Sequence, residues 1–283
     1  MESMGIALLL LIASLLIAGL AHGIAINRQF FQIKQQPGLH FFDIKTILII
    51  VISFLALSKL IPIWTFDLFT EKFNILNKFF SEPTLKMMSF TLSSLINIYL
   101  IYLIAFTQNP NALIETIGLK KEKFFKDVKN GLFGFILAIS TVTSIGILLQ
   151  LITFWLFGES GNEQSIITYL KSHQDSIGVK LLGFVNIVFL APALEEIIFR
   201  GFIQRSLKKH LSPWRSIIFT SISFALVHFS AEQGLGNIAL LGCIFFLSCY
   251  LGFIYEKTSS LVSPIVLHML FNLDGIARIF LTS

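Results

Sequence analysis

The segment APALEEIIFRGFIQRSLKKH, residues 191–210, places three charged side chains in a stretch that otherwise has the composition of a membrane-spanning helix. These side chains are Glu195, Glu196 and Arg200. A charged side chain at the centre of a bilayer costs about 2.5–3.5 kcal/mol, so such residues need partners or a water-filled cavity. The segment therefore predicts a functional site within a membrane-embedded helix bundle.

The composition of the whole chain supports this interpretation. Of the 283 residues, 55% are hydrophobic and only 13% are charged, with a mean hydropathy of +0.80, whereas soluble domains carry about 25% charged residues. A helix that crosses the hydrocarbon core needs about 20 apolar residues. We predict an all-α, polytopic integral membrane helix bundle with about eight transmembrane helices, at residues 5–26, 45–65, 87–107, 131–157, 180–205, 213–231, 235–256 and 260–281.

The first apolar segment has a second interpretation, a cleaved signal peptide. The residues before it, Met1-Glu2-Ser3-Met4, lack the basic character of a signal peptide, and the apolar run is long for one. We therefore expect a retained helix.

Basic residues are distributed unevenly between the predicted loops, and this bias predicts orientation. One side of the predicted bundle holds about twice as many basic residues as the other. The residues on this side are Arg28, Lys34, Lys45, Lys120, Lys121, Lys123, Lys126, Lys129, Arg205, Lys208, Lys209, Arg215 and Lys257. We predict that this side is cytoplasmic and that both termini lie outside. The net charge of +5 then reflects orientation, and no nucleic-acid partner is expected.

The Lys120–Lys129 cluster is expected to lie against an anionic inner leaflet. Its segment could form a surface helix with Leu119, Phe124, Phe125 and Val128 on one apolar side, or a solvated linker.

Polar residues at membrane depth are concentrated late in the chain. We therefore divide it into residues 1–130, with N-terminal transmembrane helices and the cytoplasmic basic segment, and residues 131–283, an intramembrane domain that holds the predicted functional site. No internal repeat is visible. The two cysteines, Cys243 and Cys249, have neither disulfide nor zinc-site spacing and are expected to be packing residues.

Helix geometry places the three charged side chains of residues 191–210 on two different faces of the helix. Glu196 and Arg200 are four residues apart, with the acid first, which favours an ion pair on one helix face. Glu195 lies about 100° around the helix from Glu196, so it must face water or another polar group.

Later spans supply further polar groups: His228, and then His268 and Asn272 one turn apart on one face. At about 1.5 Å per residue, these three and Glu195 fall within one layer. We therefore predict a single chamber, open toward the cytoplasmic side.

Such a chamber has the groups required to hydrolyse an amide with water as the nucleophile. A carboxylate can take a proton from water, and a neutral histidine can hold that water in place. Two further donors can stabilise the oxyanion that forms on the carbonyl.

At these residues the sequence resembles a known family. EEIIFRG fits EExxxR, FALVH fits FxxxH and HMLFN fits HxxxN, in that order. Together they resemble the CAAX prenyl protease type II family, also called the CPBP intramembrane protease family, over roughly residues 180–275. The first 130 residues carry no matching motif.

The resemblance implies a role for each motif residue. Glu195 corresponds to the glutamate that activates water, with His228 as its partner, and His268 and Asn272 correspond to the oxyanion donors. Glu196 and Arg200 match the second glutamate and the arginine of the first motif and are expected to be structural. We favour a metal-free glutamate protease with no cofactor, although zinc bound by His228, His268 and a glutamate is an alternative.

The expected partners are membrane lipids and a membrane-associated or lipidated peptide or protein. The family name suggests CAAX-type prenylated substrates, but nothing in the chain identifies them. Two other functions are considered: a non-proteolytic scaffold or bacteriocin-immunity protein of the same fold, and a proton-coupled transporter. The absence of repeats and of paired broken helices weakens the transporter hypothesis.

Overall fold

The computed structural model describes residues 2–33, 40–72, 74–159, 165–173 and 175–281. Within these ranges the chain is helical, with no β-strand. The α-helices are α1 (Glu2–Asn27), α2 (Ile44–Asp67), α3 (Glu82–Gln108), α4 (Pro110–Ile117), α5 (Phe124–Phe157), α6 (Ser165–Ser172), α7 (Ile177–Phe184), α8 (Ala191–Glu196), α9 (Arg205–Leu207), α10 (Pro213–Leu226), α11 (Gly236–Thr258) and α12 (Val262–Leu281).

Six helical segments of the described chain are long and apolar enough to cross a membrane. They are Met4–Asn27, Ile44–Lys72, Glu82–Gln108, Pro110–Phe157, Ile177–Leu207 and Gly236–Thr258. Each corresponds to one of the predicted spans, with bounds that contain the span or differ from it by one residue, so the all-α, multi-pass membrane bundle is confirmed. The other two predicted spans correspond to α10 and α12, which fall outside this set, and the count of eight stays a prediction.

The helix α10 is shorter than the predicted span 213–231. It has 14 residues, or about 21 Å, and ends at Leu226, so His228 lies in the turn that follows and not within a helix. The prediction extended the helix because residues 227–231 include Val227 and Phe229, which are apolar but exposed in this turn.

Contacts between distant segments bring the predicted cytoplasmic ends together. Arg205 donates to Glu115 at 2.6 Å and to the carbonyl oxygen of His40 at 2.8 Å. Lys257 donates to the carbonyl oxygen of Phe30 at 2.6 Å. We call this the basic end of the bundle. Residue 34, included in the charge count, lies outside the described residues.

The opposite end holds the start of α3 and the segment before α7. There Tyr169 donates to the carbonyl oxygen of Pro83 at 3.3 Å, and the hydroxyls of Thr84 and Ser176 are 3.2 Å apart. The helix directions therefore agree with termini that share the end opposite the basic residues.

The largest helix of the described chain, α5, incorporates part of the Lys120–Lys129 segment. Lys121–Lys123 form one 3-10 turn, and α5 continues without a break from Phe124 into the bundle. Leu119 and Phe125 are exposed. The segment is thus neither a separate surface helix nor a linker.

A shared apolar core joins the two predicted parts of the chain. Ile50, Ile101 and Leu113 from the first part pack in one cluster with Ile198 and Phe224 from the second. The boundary at residue 130 is not marked by a break in packing, and the division stays a prediction.

Candidate active site

The charged motif lies on a continuous but irregular helical segment, Ile177–Leu207. The short helix α8 that carries Glu195 and Glu196 lies between two π-helical segments, Val185–Leu190 and Ile197–Gln204. Such π-helical turns are rare and are often found at functional sites. Pro192 in α8 lacks a backbone donor, so one carbonyl group of the preceding turn needs another partner.

The predicted ion pair between Glu196 and Arg200 is present. Arg200 Nη1 donates to Glu196 Oε1 at 3.1 Å, and both side chains are fully buried. The second terminal nitrogen of Arg200 donates to the hydroxyl and the carbonyl oxygen of Ser248 in α11, at 2.6 and 3.1 Å. The pair therefore anchors α8 to α11.

Glu195 faces a different environment from its neighbour. Its side chain is 23% exposed, whereas that of Glu196 is 0% exposed. It lines a cavity of about 370 Å³. Its orientation away from Arg200 and toward a cavity agrees with the helical geometry.

All four residues predicted to act on the substrate line this cavity: Glu195, His228, His268 and Asn272. The remaining wall is largely apolar. It comes from α6, α11, α12 and the π-helical turn that precedes α8, and includes Ile166, Ile167, Leu170, Ile187, Leu240, Ile244, Leu247, Phe271 and Ile276. The structure brings the predicted residues together, and their catalytic roles stay predictions.

His268 lies between the two glutamates. Its Nδ1 is 2.9 Å from Glu196 Oε1, and its Nε2 is 3.8 Å from Glu195 Oε2. A carboxylate paired with an arginine only accepts hydrogen bonds, so Nδ1 carries a hydrogen. The other nitrogen, Nε2, is then the one that faces Glu195.

His228 is fixed by the backbone of α10. Its Nδ1 is 2.8 Å from the carbonyl oxygen of Phe224, which can only accept, so Nε2 is the nitrogen left for another partner. The Phe224 ring lies 4.9 Å from the His228 ring and 6.0 Å from the His268 ring, and the Arg200 guanidinium lies 4.6 Å above it. Phe224 therefore organises all three polar side chains.

Asn272 already has a structural partner. Its Nδ2 donates to the carbonyl oxygen of Ile187 at 2.8 Å. An amide nitrogen carries two hydrogens, so one remains for a ligand. The predicted oxyanion donor also ties α12 to the π-helical turn before Pro192.

The cavity lies on the side of Glu195 that is away from the basic end. The residues of α12 that line the cavity lie between His268 and Ile276. Those of the segment Ile177–Leu207 lie between Ile187 and Glu195. In the other direction Arg200 and Gln204 are fully buried. The cavity therefore extends from Glu195 away from the basic end, and the predicted opening toward the cytoplasmic side stays a prediction.

A metal ion at this site would need ligands from the Glu and His side chains that line the cavity. Glu195 Oε2 and His268 Nε2 are 3.8 Å apart, but within the described ranges no group of three His, Cys, Asp or Glu side chains is placed to hold one ion. The zinc alternative and the metal-free mechanism both remain predictions.

Sequence reasoning missed several residues of the site. The motif contained Phe224 only as a pattern letter, although its ring contacts are extensive. Nothing in the sequence marks Ser248, the partner of Arg200. Leu170 was missed as well: it is buried and lines the cavity, but it lies in α6, which is shorter than any predicted span.

Comparison with known proteins agrees with the position of this site. Residues 177–273 match the model of a family described as Type II CAAX prenyl endopeptidase Rce1-like. The matched segment includes α7 to α11 and most of α12, and with them every residue of the three motifs. No curated protein and no solved structure matches the chain.

Proposed function

We propose that the chain is an intramembrane endopeptidase in which Glu195 activates a water molecule for attack on a peptide bond. The observation that carries the proposal is the common cavity lined by Glu195, His228, His268 and Asn272. The match of residues 177–273 to a peptidase family supports it. The substrate class we propose is a membrane-associated or lipidated peptide or protein, including CAAX-type prenylated chains.

In this mechanism Glu195 takes a proton from water while the water oxygen bonds to the carbonyl carbon. The electron pair of the carbonyl moves to its oxygen, and donors from α12 stabilise that charge. When the carbonyl re-forms, the C–N bond breaks and protonated Glu195 returns the proton to the leaving nitrogen. His228 Nε2 orients the water. The apolar wall contacts the side chains or lipid that flank the scissile bond.

The side from which the substrate enters is also part of the proposal. The sequence predicted both a cytoplasmic basic end and access from the cytoplasm. These expectations conflict, because the cavity lies on the other side of Glu195 from the basic end. We retain the orientation given by the basic residues and propose entry from the opposite side.

The proposal is tested with purified protein in lipid nanodiscs and a library of membrane-anchored peptides, each with and without a prenyl group. Products are identified by mass spectrometry. Glu195→Gln should lose at least about 100-fold in turnover, the size of effect typical for a general base. Glu71→Gln, at an exposed position that does not line the cavity, is the matched control.

Full turnover by Glu195→Gln would reject this mechanism. A binding function without cleavage makes a different prediction: cells carrying Glu195→Gln would keep any phenotype that deletion of the gene removes.

A further inference from the structure

Glu196 was expected to be structural, but its contacts give it a second role. Its Oε1 accepts from Arg200 at 3.1 Å and lies 2.9 Å from His268 Nδ1. The carboxylate is fully buried. It therefore contacts a residue of the cavity wall without lining the cavity itself.

This contact fixes the ring of His268. With Nδ1–H directed at Glu196, Nε2 faces Glu195 Oε2 at 3.8 Å. In a neutral ring Nε2 would direct a lone pair at a carboxylate, which is repulsive. In a protonated ring both N–H groups would point toward carboxylates.

The charges of the cluster favour the protonated ring. Two carboxylates and one guanidinium leave one negative charge without a partner, and an unbalanced charge at membrane depth is unfavourable. An imidazolium makes the cluster neutral. The titratable groups around His268 and the cavity that it lines are Glu195, Glu196, Arg200, His228 and Cys243.

We propose that His268 is an imidazolium held between the two glutamates, with Glu196 as the residue that positions it. This deepens the proposed function and rests on it for its catalytic consequence. A charged Nε2–H is a stronger donor to a developing oxyanion than a neutral one. In this arrangement Glu195 is the group that accepts the proton from water.

A neutral alternative places the proton on Glu195 and leaves Nε2 unprotonated. Two observations favour the proton on His268. Glu195 is 23% exposed, so water in the cavity can solvate its charge. Glu196 contacts the ring directly and cannot be solvated, because it is fully buried.

The test is nitrogen NMR of the histidine rings of the full-length protein in nanodiscs at pH 7. Labelling leucine carbonyls and histidines selects the two histidines that follow leucine, His40 and His268. The signal of His268 is then identified in a His40→Gln variant, which lacks the exposed His40 and leaves the site unchanged. The expected spectrum shows hydrogen on both ring nitrogens of His268.

A ring with hydrogen on Nδ1 alone would overturn the imidazolium, and a ring with hydrogen on Nε2 alone would also overturn the positioning role of Glu196. In Glu195→Gln we expect loss of the Nε2 hydrogen with Nδ1–H retained. Retention of both hydrogens in that variant would contradict the charge argument. The NMR measurement needs no substrate, so it remains valid even if no peptide in the library is cleaved. An active enzyme with a neutral His268 would reject the imidazolium and leave the proposed function intact.

Discussion

Asn272 Nδ2 donates to the carbonyl oxygen of Ile187 at 2.8 Å, across 85 positions of sequence. In a π-helical turn this carbonyl would accept from residue 192, which is a proline without a backbone N–H. The next possible donor, the N–H of Ala191, is bound to the carbonyl oxygen of Asn186. Asn272 therefore supplies the hydrogen bond that Pro192 cannot.

This relationship predicts that residues 192 and 272 are energetically coupled. Asn272→Ala should lower the free energy of unfolding by about 1–3 kcal/mol, because the part-buried carbonyl of Ile187 loses its donor. In a Pro192→Ala background a backbone N–H becomes available to Ile187, so the same change should cost at least about 1 kcal/mol less. The measurement is unfolding of the four variants in detergent micelles.

Asn97 provides the control for this cycle. Asn97 is buried, and its Nδ2 donates to the carbonyl oxygen of Ser93 in its own helix at 3.0 Å. The cost of Asn97→Ala should be the same with either residue at position 192. Equal costs of Asn272→Ala in both backgrounds would refute the coupling.

The two cysteines can report the side from which the cavity is reached. Cys243 lines the cavity and Cys249 does not. In Cys249→Ser, a small impermeant thiol reagent should modify Cys243 from the side that labels Glu159→Cys, which follows α5 at the end opposite the basic residues. Labelling is measured by mass spectrometry of sealed oriented vesicles.

Lys209→Cys, at the basic end, marks the other side in a protein without the native cysteines. With the basic end in the cytoplasm, this position should react only from the cytoplasm. Modification of Cys243 from the side that labels position 209 would reverse the proposed entry. Rapid modification of Cys249 in a Cys243→Ser variant would show that labelling does not depend on the cavity.

Local chemistry explains what could be predicted from the sequence. The ion pair of Glu196 and Arg200 follows from a four-residue spacing within one segment, and the number of long apolar stretches identifies a membrane bundle. The π-helical turns on both sides of α8 leave no comparable pattern. Their position depends on partners elsewhere in the chain, such as Asn272.

The contact of His268 with both glutamates could not be predicted for the same reason. Helix periodicity gives the face of a residue on its own helix, and His268 is 72 residues from Glu196. The motifs indicated that the helices meet but not which atoms do. The depth estimate placed four residues in one layer. It could not show that the cavity extends from this layer away from the basic end.

Metal dependence gives a further prediction. In the metal-free mechanism, turnover should be unchanged within about twofold after dialysis against a strong chelator, because Glu195 and the histidines act on water directly. Activity that is lost on dialysis and restored by Zn²⁺ would instead support the zinc alternative, in which the Nε2 atoms of His228 and His268 would be ligands. Measurement of turnover and bound metal on the same sample distinguishes the two.

Two glycines with positive φ give a matched test of packing at the basic end. Gly118 (φ +61) and Gly158 (φ +77) each end a helix in the left-handed conformation. A Cβ on Gly118 would clash with the backbone oxygen of Ser259, whereas a Cβ on Gly158 would meet nothing within 4 Å. Alanine should cost about 1–2 kcal/mol of backbone strain at either position. At Gly118 the shift of α4 away from the turn before α12 should add about 1–3 kcal/mol. Thermal unfolding of both variants in micelles measures the difference, and equal losses would mean that the α4 contact does not stabilise the bundle.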